Sequence, residues 1–254
     1  MRAANANERR DEQPAFVLHT YPYRETSLIV EAFTAGYGRV GLIARGAKRP
    51  RSELRGLLLA FQPLTLSWTG TRELKLLAKA EWRGGLPLLA GAGLLCGFYL
   101  NELLLKLVPR EDPHPRLFTQ YETTLSALAT RTSAGARAEL LRSFELALLA
   151  ELGYALPLTH DADTGAPIDP EERYHYAFDR GPRRVAEPHA RWPVVHGTTL
   201  LALATRQFPD ASSAAEAKRL MRDVLDHYLE HRRIFSRRIV QDLAALDDEP
   251  TEAR

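Results

Sequence analysis

The chain has 254 residues, of which 45% are hydrophobic and 26% charged, enough for one large domain or two ordinary ones around a substantial core. Its single cysteine excludes a disulfide framework and a cysteine-based zinc site within one chain. The net charge is only +2, but residues 1–83 carry 14 Lys and Arg against 8 Asp and Glu, which indicates a polyanionic partner for this part.

The N-terminal residues 1–13 are polar and of mixed charge, so we expect them to be disordered, and they lack the apolar core of a signal peptide. The longest apolar run, 94–108, is interrupted by Asn101, Glu102 and Lys106 and is too short to span a bilayer. We therefore expect a cytoplasmic protein without a membrane partner.

Residues 14–83 contain five runs rich in β-branched and aromatic residues, separated by Gly and Pro turns. The runs are AFVLHT, TSLIVEAFT, RVGLIARG, LLLAFQPLTLSWTG and ELKLLAKAEW. Five short strands in about seventy residues favour a small closed barrel, and the oligonucleotide/oligosaccharide-binding (OB) barrel is a common five-stranded form.

After a linker at 84–93 the apolar spacing becomes helical, so the predicted fold class is α+β, with a mostly α-helical domain over 94–240. Helices are predicted over 94–108, 113–130, 137–153, 198–207 and 214–232. The stretch 154–195, rich in Pro, Gly, Asp and His, is predicted to be an irregular insert, and 241–254 a flexible tail.

Two local motifs have a structural explanation that we prefer to a functional one. GYGRVG, 36–41, fits a dinucleotide-binding pattern, but a strand follows it where that motif needs a helix, so we interpret it as a β-turn. DADTG, 161–165, resembles the start of a calcium loop but has its glycine one place early, so a polar turn fits better. The histidines at 160, 175, 189 and 196 match no standard metal-site spacing.

The segment 39–56, RVGLIARGAKRPRSELRG, begins as an apolar strand and ends in positive charge, with six cations against the single acid Glu53. A solvated loop is the usual explanation of such a run. Neighbouring turns add aromatic residues, however, and cations beside base-stacking rings are how such barrels hold single strands. We therefore predict a nucleic-acid-binding surface made of Arg24, Arg39, Arg45, Lys48, Arg49, Arg51, Arg55, Tyr21, Tyr23 and Tyr37. A smaller basic cluster, predicted as a secondary patch or partner rim, consists of Arg232, Arg233, Arg237 and Arg238.

Three blocks in a specific order resemble the RecO family of recombination mediators over about residues 14–240. They are the segment 16–64, then NELLLKLVPREDPHPRLF at 101–118 and RSFELALLAELGY at 142–154. The stretch HYLEHRRIFSRR, 227–238, is similar to the C-terminal end of the family.

The resemblance implies a nucleoid-associated protein that binds single- and double-stranded DNA and anneals complementary strands. It also implies two protein partners, RecR and the tail of single-strand binding protein, with which the protein helps to load RecA onto coated DNA. No nucleotide hydrolysis is implied, in agreement with the missing phosphate-loop motif. Many members carry a four-cysteine zinc site, but the corresponding stretch 156–182 has no cysteine, so we expect no zinc and no other cofactor.

Two other function classes remain open. The chain could be chiefly a protein-binding adaptor whose DNA contact is incidental, in which case loss of the loop arginines leaves partner binding intact. It could also be an enzyme that assembles scattered residues, although no local catalytic signature is present, so we expect a protein without catalytic residues.

Overall fold

The structure, a computed structural model, describes residues 8–130, 133–185, 192–229 and 232–237. In its first part, short apolar runs between Gly and Pro turns form five strands. They are β1 (Arg9–Tyr23), β2 (Ser27–Thr34), β3 (Gly38–Ala44), β4 (Pro63–Thr69) and β5 (Leu74–Trp82), with a short helix α1 (Leu54–Leu57) between β3 and β4.

The five strands close into a barrel in the order β1-β2-β3-β5-β4, which confirms the five-stranded barrel predicted from the sequence. All neighbouring strands pair antiparallel except β3 and β5, which are parallel. The interior is filled by apolar side chains that alternate with outward-facing ones, among them Val17, Val30, Leu42, Leu66 and Trp68, each at most 1% exposed.

Strand β1 is long because it pairs with two neighbours, β2 on one side and β4 on the other. Its register shifts between Arg10 and Gln13 and again between Val17 and His19, and such bulges bend a strand around a barrel. The expectation of disorder was wrong for 9–13, because β1 begins at Arg9, and Arg9, Arg10 and Gln13 pair with β4. Residues 1–7 and 241–254 lie outside the described residues.

The GYGRVG motif forms the turn into β3, and the element that follows it is a strand, as predicted. Gly38 has a φ of 63°, and a Cβ at this position would lie 1.9 Å from the backbone oxygen of Asp112. This glycine therefore permits a close backbone approach.

Two helices, α2 (Gly91–Leu107) and α3 (Pro115–Ala129), pack against the barrel and belong to the same compact unit. Their contact with it is aromatic: Phe118 and Tyr121 face Phe16 and Phe33, with ring centroids 5.2–6.1 Å apart. The buried Asn101 amide donates to the carbonyl oxygen of Leu18 at 2.8 Å and accepts a hydrogen bond from the Tyr121 hydroxyl. Burial raises the pKa of Tyr121, which keeps it a neutral donor.

Backbone contacts divide the chain into this unit, Met1–Arg131 with Ile234–Arg254, and a second unit, Thr132–Arg233. The second unit contains the helices α4 (Ala134–Glu151), α5 (Gly197–Thr205) and α6 (Ala211–Tyr228) and the strands β6 (Arg173–Ala177), β7 (Gly181–Arg184) and β8 (Val194–His196). Side chains cap two of these helices, since Ser133 accepts from the N–H of Ala136 and Asp210 from that of Ser213.

The irregular insert predicted at 154–195 was wrong in part, because it contains a three-stranded antiparallel sheet in the order β7-β6-β8. Its strands have five, four and three residues, too short for a clear alternating pattern. No helix among the described residues is both long and apolar enough to cross a lipid bilayer.

Candidate nucleic-acid interface

A groove of about 560 Å³ lies between the β1–β2 turn and the chain that leaves β3. We call it the cationic groove. It is lined by Tyr23, Arg24, Glu25, Thr26, Ser27, Ile43, Arg45, Gly46 and Arg49. Four residues predicted from the sequence, Tyr23, Arg24, Arg45 and Arg49, therefore meet around one cleft.

Backbone hydrogen bonds fix the two walls of this groove relative to each other. The N–H of Lys48 donates to the carbonyl oxygen of Thr26 at 2.9 Å, which ties the segment after β3 to the β1–β2 turn. Gly46, with a φ of 68°, and the N–H of Arg49, which donates to Gly46 at 3.0 Å, turn the chain directly after the strand. The cations thus project from a turn anchored to the barrel.

Five cations of the segment after β3 are exposed: Arg45, Lys48, Arg49, Arg51 and Arg55. Within the described part of the chain, none of their side chains forms an ion pair. The acids near them are Glu25, which lines the groove, and Glu53, both exposed. An anionic ligand can therefore bind these exposed, unpaired cations without an internal ion pair being broken first.

At one end of the groove, an aromatic ring and a guanidinium lie together. The Arg24 guanidinium carbon lies 5.3 Å from the centroid of the half-buried Tyr23 ring, a cation–π arrangement. Arg24 has a φ of 52°, a backbone conformation that few non-glycine residues adopt, at the tip of the β1–β2 turn. The guanidinium therefore lies over the ring, and the pair combines a flat group and a charge in the groove wall.

The prediction of Arg39 as a phosphate-binding residue requires correction. Its guanidinium donates to Glu31 at 3.0 Å and to the carbonyl oxygen of Val108 at 3.0 Å, and its side chain is only 16% exposed. Glu31, almost wholly buried, also pairs with Arg110. Arg39 is therefore part of an internal ion network, and its guanidinium would have to give up Glu31 and the Val108 carbonyl oxygen to reach a phosphate.

Two of the predicted tyrosines lie away from the cationic groove. Tyr21 packs against the ring of His19, with centroids 4.4 Å apart, and lines a second groove in which Arg39 and Arg110 lie beside Glu31 and Glu73. Tyr37 packs edge-on against Trp68 at 5.4 Å. Tyr21 lies two residues before Tyr23 in β1 and Tyr37 lies in the β2–β3 turn, yet the three rings reach different places, which the spacing of aromatic residues in the sequence does not reveal.

One residue that builds the groove carries no signal in the sequence. Thr26 contributes a backbone carbonyl oxygen, which any residue has, so its role in holding Lys48 depends only on the fold. Its neighbour Ser27, also in the groove wall, is buried.

The predicted secondary patch is divided between the two compact units. Arg232 and Arg233 are exposed at the end of the second unit, and Arg232 also donates to the carbonyl oxygen of Leu229 at 3.4 Å. Arg237 belongs to the first unit, where it lies over the Tyr99 ring at 5.6 Å. Arg238 lies outside the described residues.

The carboxylate of Glu102 in α2 holds the segment 234–237. It accepts hydrogen bonds from the N–H groups of Phe235 and Ser236, both at 2.8 Å, and from the Ser236 hydroxyl at 2.6 Å. Burial by itself raises the pKa of this carboxyl, but the hydrogen bonds from Lys106, Ser236 and Phe235 outweigh it, so the pKa lies below its ordinary value.

We expect this carboxylate to make stability depend on pH. Because the pKa of Glu102 is lower in the folded state, its contribution is present above the ordinary glutamate pKa, about 4.3, and is lost as the pH falls through the folded-state value. At pH 7, Glu102→Gln should lower the free energy of unfolding by about 1–2 kcal/mol. Urea unfolding of both proteins between pH 3.5 and 7 measures the difference, which should shrink toward the acidic end. A difference independent of pH would contradict this role.

Two family models match the chain. Recombination protein O N terminal matches residues 10–86, and Recombination protein O C terminal matches residues 90–237. The chain belongs to the RecO family. Among similar proteins, DNA repair protein RecO of Dechloromonas aromatica is 50% identical over 242 residues, covering 95% of this chain and all of the relative. DNA repair protein RecO of Aromatoleum aromaticum is 49% identical over 239 residues, covering 94% of this chain and 98% of the relative.

Membership of the RecO family confirms the resemblance found in the sequence. In the stretch 156–182, which contains no cysteine, hydrogen bonds organise the chain around one carboxylate. Here the Asp161 carboxylate accepts hydrogen bonds from the N–H groups of Asp163 and Thr164, both at 2.9 Å, and of Arg184 at 2.8 Å. Burial alone would raise the pKa of Asp161, but the hydrogen bonds from these donors have the larger effect, so the pKa lies below its ordinary value. In the residues that the structure describes, no three His, Cys, Asp or Glu side chains are close enough together to hold a metal ion.

Proposed function

We propose that this RecO-family protein acts in recombinational DNA repair by binding DNA through the cationic groove and the exposed cations beside it. The observation that carries the proposal is the set of five exposed cations on the segment 45–55, none of them ion-paired within the described residues. Family membership supports the repair role, since the relatives are named DNA repair protein RecO. Contacts of this kind are to phosphates, so binding should show little sequence preference.

The chemistry of the groove suits annealing of complementary strands. Two DNA strands repel each other through their phosphates, and a surface with several unpaired cations lowers this repulsion when both strands lie near it. The bases then pair by themselves, so neither a catalytic residue nor a nucleotide is needed. The Tyr23–Arg24 pair offers a face on which an unpaired base can stack before it pairs.

We further propose that the protein works with RecR and with the tail of single-strand binding protein to load RecA onto coated DNA, at the nucleoid. The support for these partners is the family membership.

Binding and annealing of DNA test the proposal together. We expect labelled single-stranded oligonucleotides to bind with a log–log salt slope near −3.5, from about five phosphate contacts at roughly −0.7 each. Raising the salt concentration fourfold should therefore weaken binding about 100-fold. In a fluorescence-quenching assay, the protein should speed the pairing of two complementary oligonucleotides without ATP. A salt slope near zero, or tight binding without faster pairing, would overturn the proposal, and the adaptor interpretation would then be preferred.

A further inference from the structure

An apolar groove of about 310 Å³ adjoins the far end of the basic segment. We call it the Trp82 groove; it is lined by Gly56, Leu57, Leu59, Gln62, Trp82 and Leu88. Three of its large apolar side chains are open to solvent, Leu59 at 51% exposed, Trp82 at 62% and Leu88 at 75%. Such a patch on the surface of a protein marks an interaction site, and the volume lies at the lower limit of small-ligand pockets, roughly 300–1,000 Å³.

The Trp82 groove continues the surface that carries the exposed cations. Helix α1 contains both Arg55, the last cation of the basic segment, and Leu57, which lines the groove. If the phosphates of a DNA strand bind along the cations from Arg45 to Arg55, the next part of the strand lies beside the exposed indole of Trp82. Cations bind the phosphates of a DNA strand and aromatic rings stack on its bases, and this surface presents first the cations and then the indole ring.

One polar group in the groove lacks a partner. The amide nitrogen Nε2 of Gln62 is buried and donates to no acceptor among the described residues. A buried donor without an acceptor costs free energy, so turning this side chain toward the groove, where a ligand could accept from it, would relieve that cost. The preceding residue, Phe61, has a φ of 68°, a strained conformation for an aromatic residue, and this backbone places Gln62.

We propose that the Trp82 groove binds an unpaired base of single-stranded DNA, which stacks on the Trp82 indole and hydrogen-bonds to the Gln62 amide. The proposal rests on the proposed DNA binding of the basic segment and extends it. A base is favoured over an acidic peptide because a flat base covers the exposed indole face, whereas a carboxylate would lose hydration against the apolar Leu57, Leu59 and Leu88 side chains. Duplex DNA cannot use the groove, since its bases are already stacked and paired.

Three variants test this assignment by fluorescence anisotropy on a single-stranded 20-mer and on its duplex. We expect Trp82→Ala to weaken binding of the single strand about tenfold, the effect of losing one stacked base, and to change duplex binding less than twofold. Trp82→Phe keeps an aromatic ring and should recover most of the affinity. Tyr154→Ala removes another exposed aromatic residue, 46% exposed in the second unit, and should change neither.

The intrinsic fluorescence of the protein gives a second measurement. Of the three tryptophans, Trp68 is buried in the barrel and Trp192 belongs to the second unit, so stacking on Trp82 should quench its emission selectively. The quench should appear with the single strand, be smaller with the duplex, and disappear in Trp82→Phe.

The possible outcomes separate this proposal from the one on which it rests. If the wild type binds single strands with a steep salt slope but Trp82→Ala binds equally well and the emission is unchanged, the base-binding assignment is wrong and the basic segment remains the DNA site. Equal losses on single strand and duplex would also overturn it. Quenching by an acidic, apolar peptide but not by the oligonucleotide would assign the groove to a protein partner instead. If the wild type binds no DNA, both proposals fail.

Discussion

The triple variant Arg45→Ala/Lys48→Ala/Arg49→Ala should bind single-stranded DNA about 100-fold more weakly than the wild type at 0.1 M salt. Each phosphate contact contributes roughly 0.7 to the log–log salt slope, so at 0.1 M salt it raises the affinity about fivefold relative to 1 M salt. Losing three contacts therefore lowers the affinity about 100-fold. The slope itself should fall from near −3.5 to near −1.4, because Arg51 and Arg55 remain. Fluorescence anisotropy across a salt series measures both quantities.

The control for this variant removes the same charges elsewhere. Lys218, Arg219 and Arg222 are exposed on α6 of the second unit and also comprise one lysine and two arginines. Lys218→Ala/Arg219→Ala/Arg222→Ala should retain the wild-type salt slope if binding depends on the place of the charges rather than on their number. If both triple variants lose the same affinity for single-stranded DNA, binding depends only on the net charge of the protein, and the cationic groove has no special role.

Replacing Glu31 by alanine should lower the free energy of unfolding by about 3–5 kcal/mol, which is the usual cost of removing one partner of a buried ion pair. The Glu31 side chain is 4% exposed and pairs with both Arg39 and Arg110, so the variant leaves two partly buried guanidinium groups without their carboxylate. The network joins β2, β3 and the loop after α2, and its loss weakens the first compact unit. Denaturant unfolding followed by circular dichroism measures the change.

A neighbouring carboxylate provides a matched comparison. Glu73 pairs with the same Arg110 but is 77% exposed, so Glu73→Ala should cost less than about 1 kcal/mol, as surface ion pairs do. Arg39→Ala should also be destabilising while leaving the salt slope of DNA binding unchanged, because Arg39 is not part of the free basic surface. If Glu31→Ala costs no more than Glu73→Ala, the network is not structural, and a reduced salt slope in Arg39→Ala would return that residue to the DNA site.

Elements built from local patterns were predicted well. The five strands of the barrel were recognisable because β-branched and aromatic residues alternate with Gly and Pro turns within a few positions, and the amphipathic helix α3 because Leu117, Tyr121, Leu125 and Leu128 recur on one face. The strands β6, β7 and β8 were missed because three to five residues carry no periodic signal of their own, and only their pairing in the folded sheet, β6 with β7 and with β8, makes them strands.

Local sequence patterns account for the barrel, the helical region and the presence of a cation-rich segment, since each depends on residue types close together in the chain. Which of the cations remain available for binding depends on how the chain folds. Arg39 and Arg45 have the same side chain and lie six positions apart, yet Glu31 and Val108 bind the first, whereas the second lines an open groove. The availability of a charge depends on what folding places within a few ångströms of it, and that distance is set by packing and not by spacing along the chain.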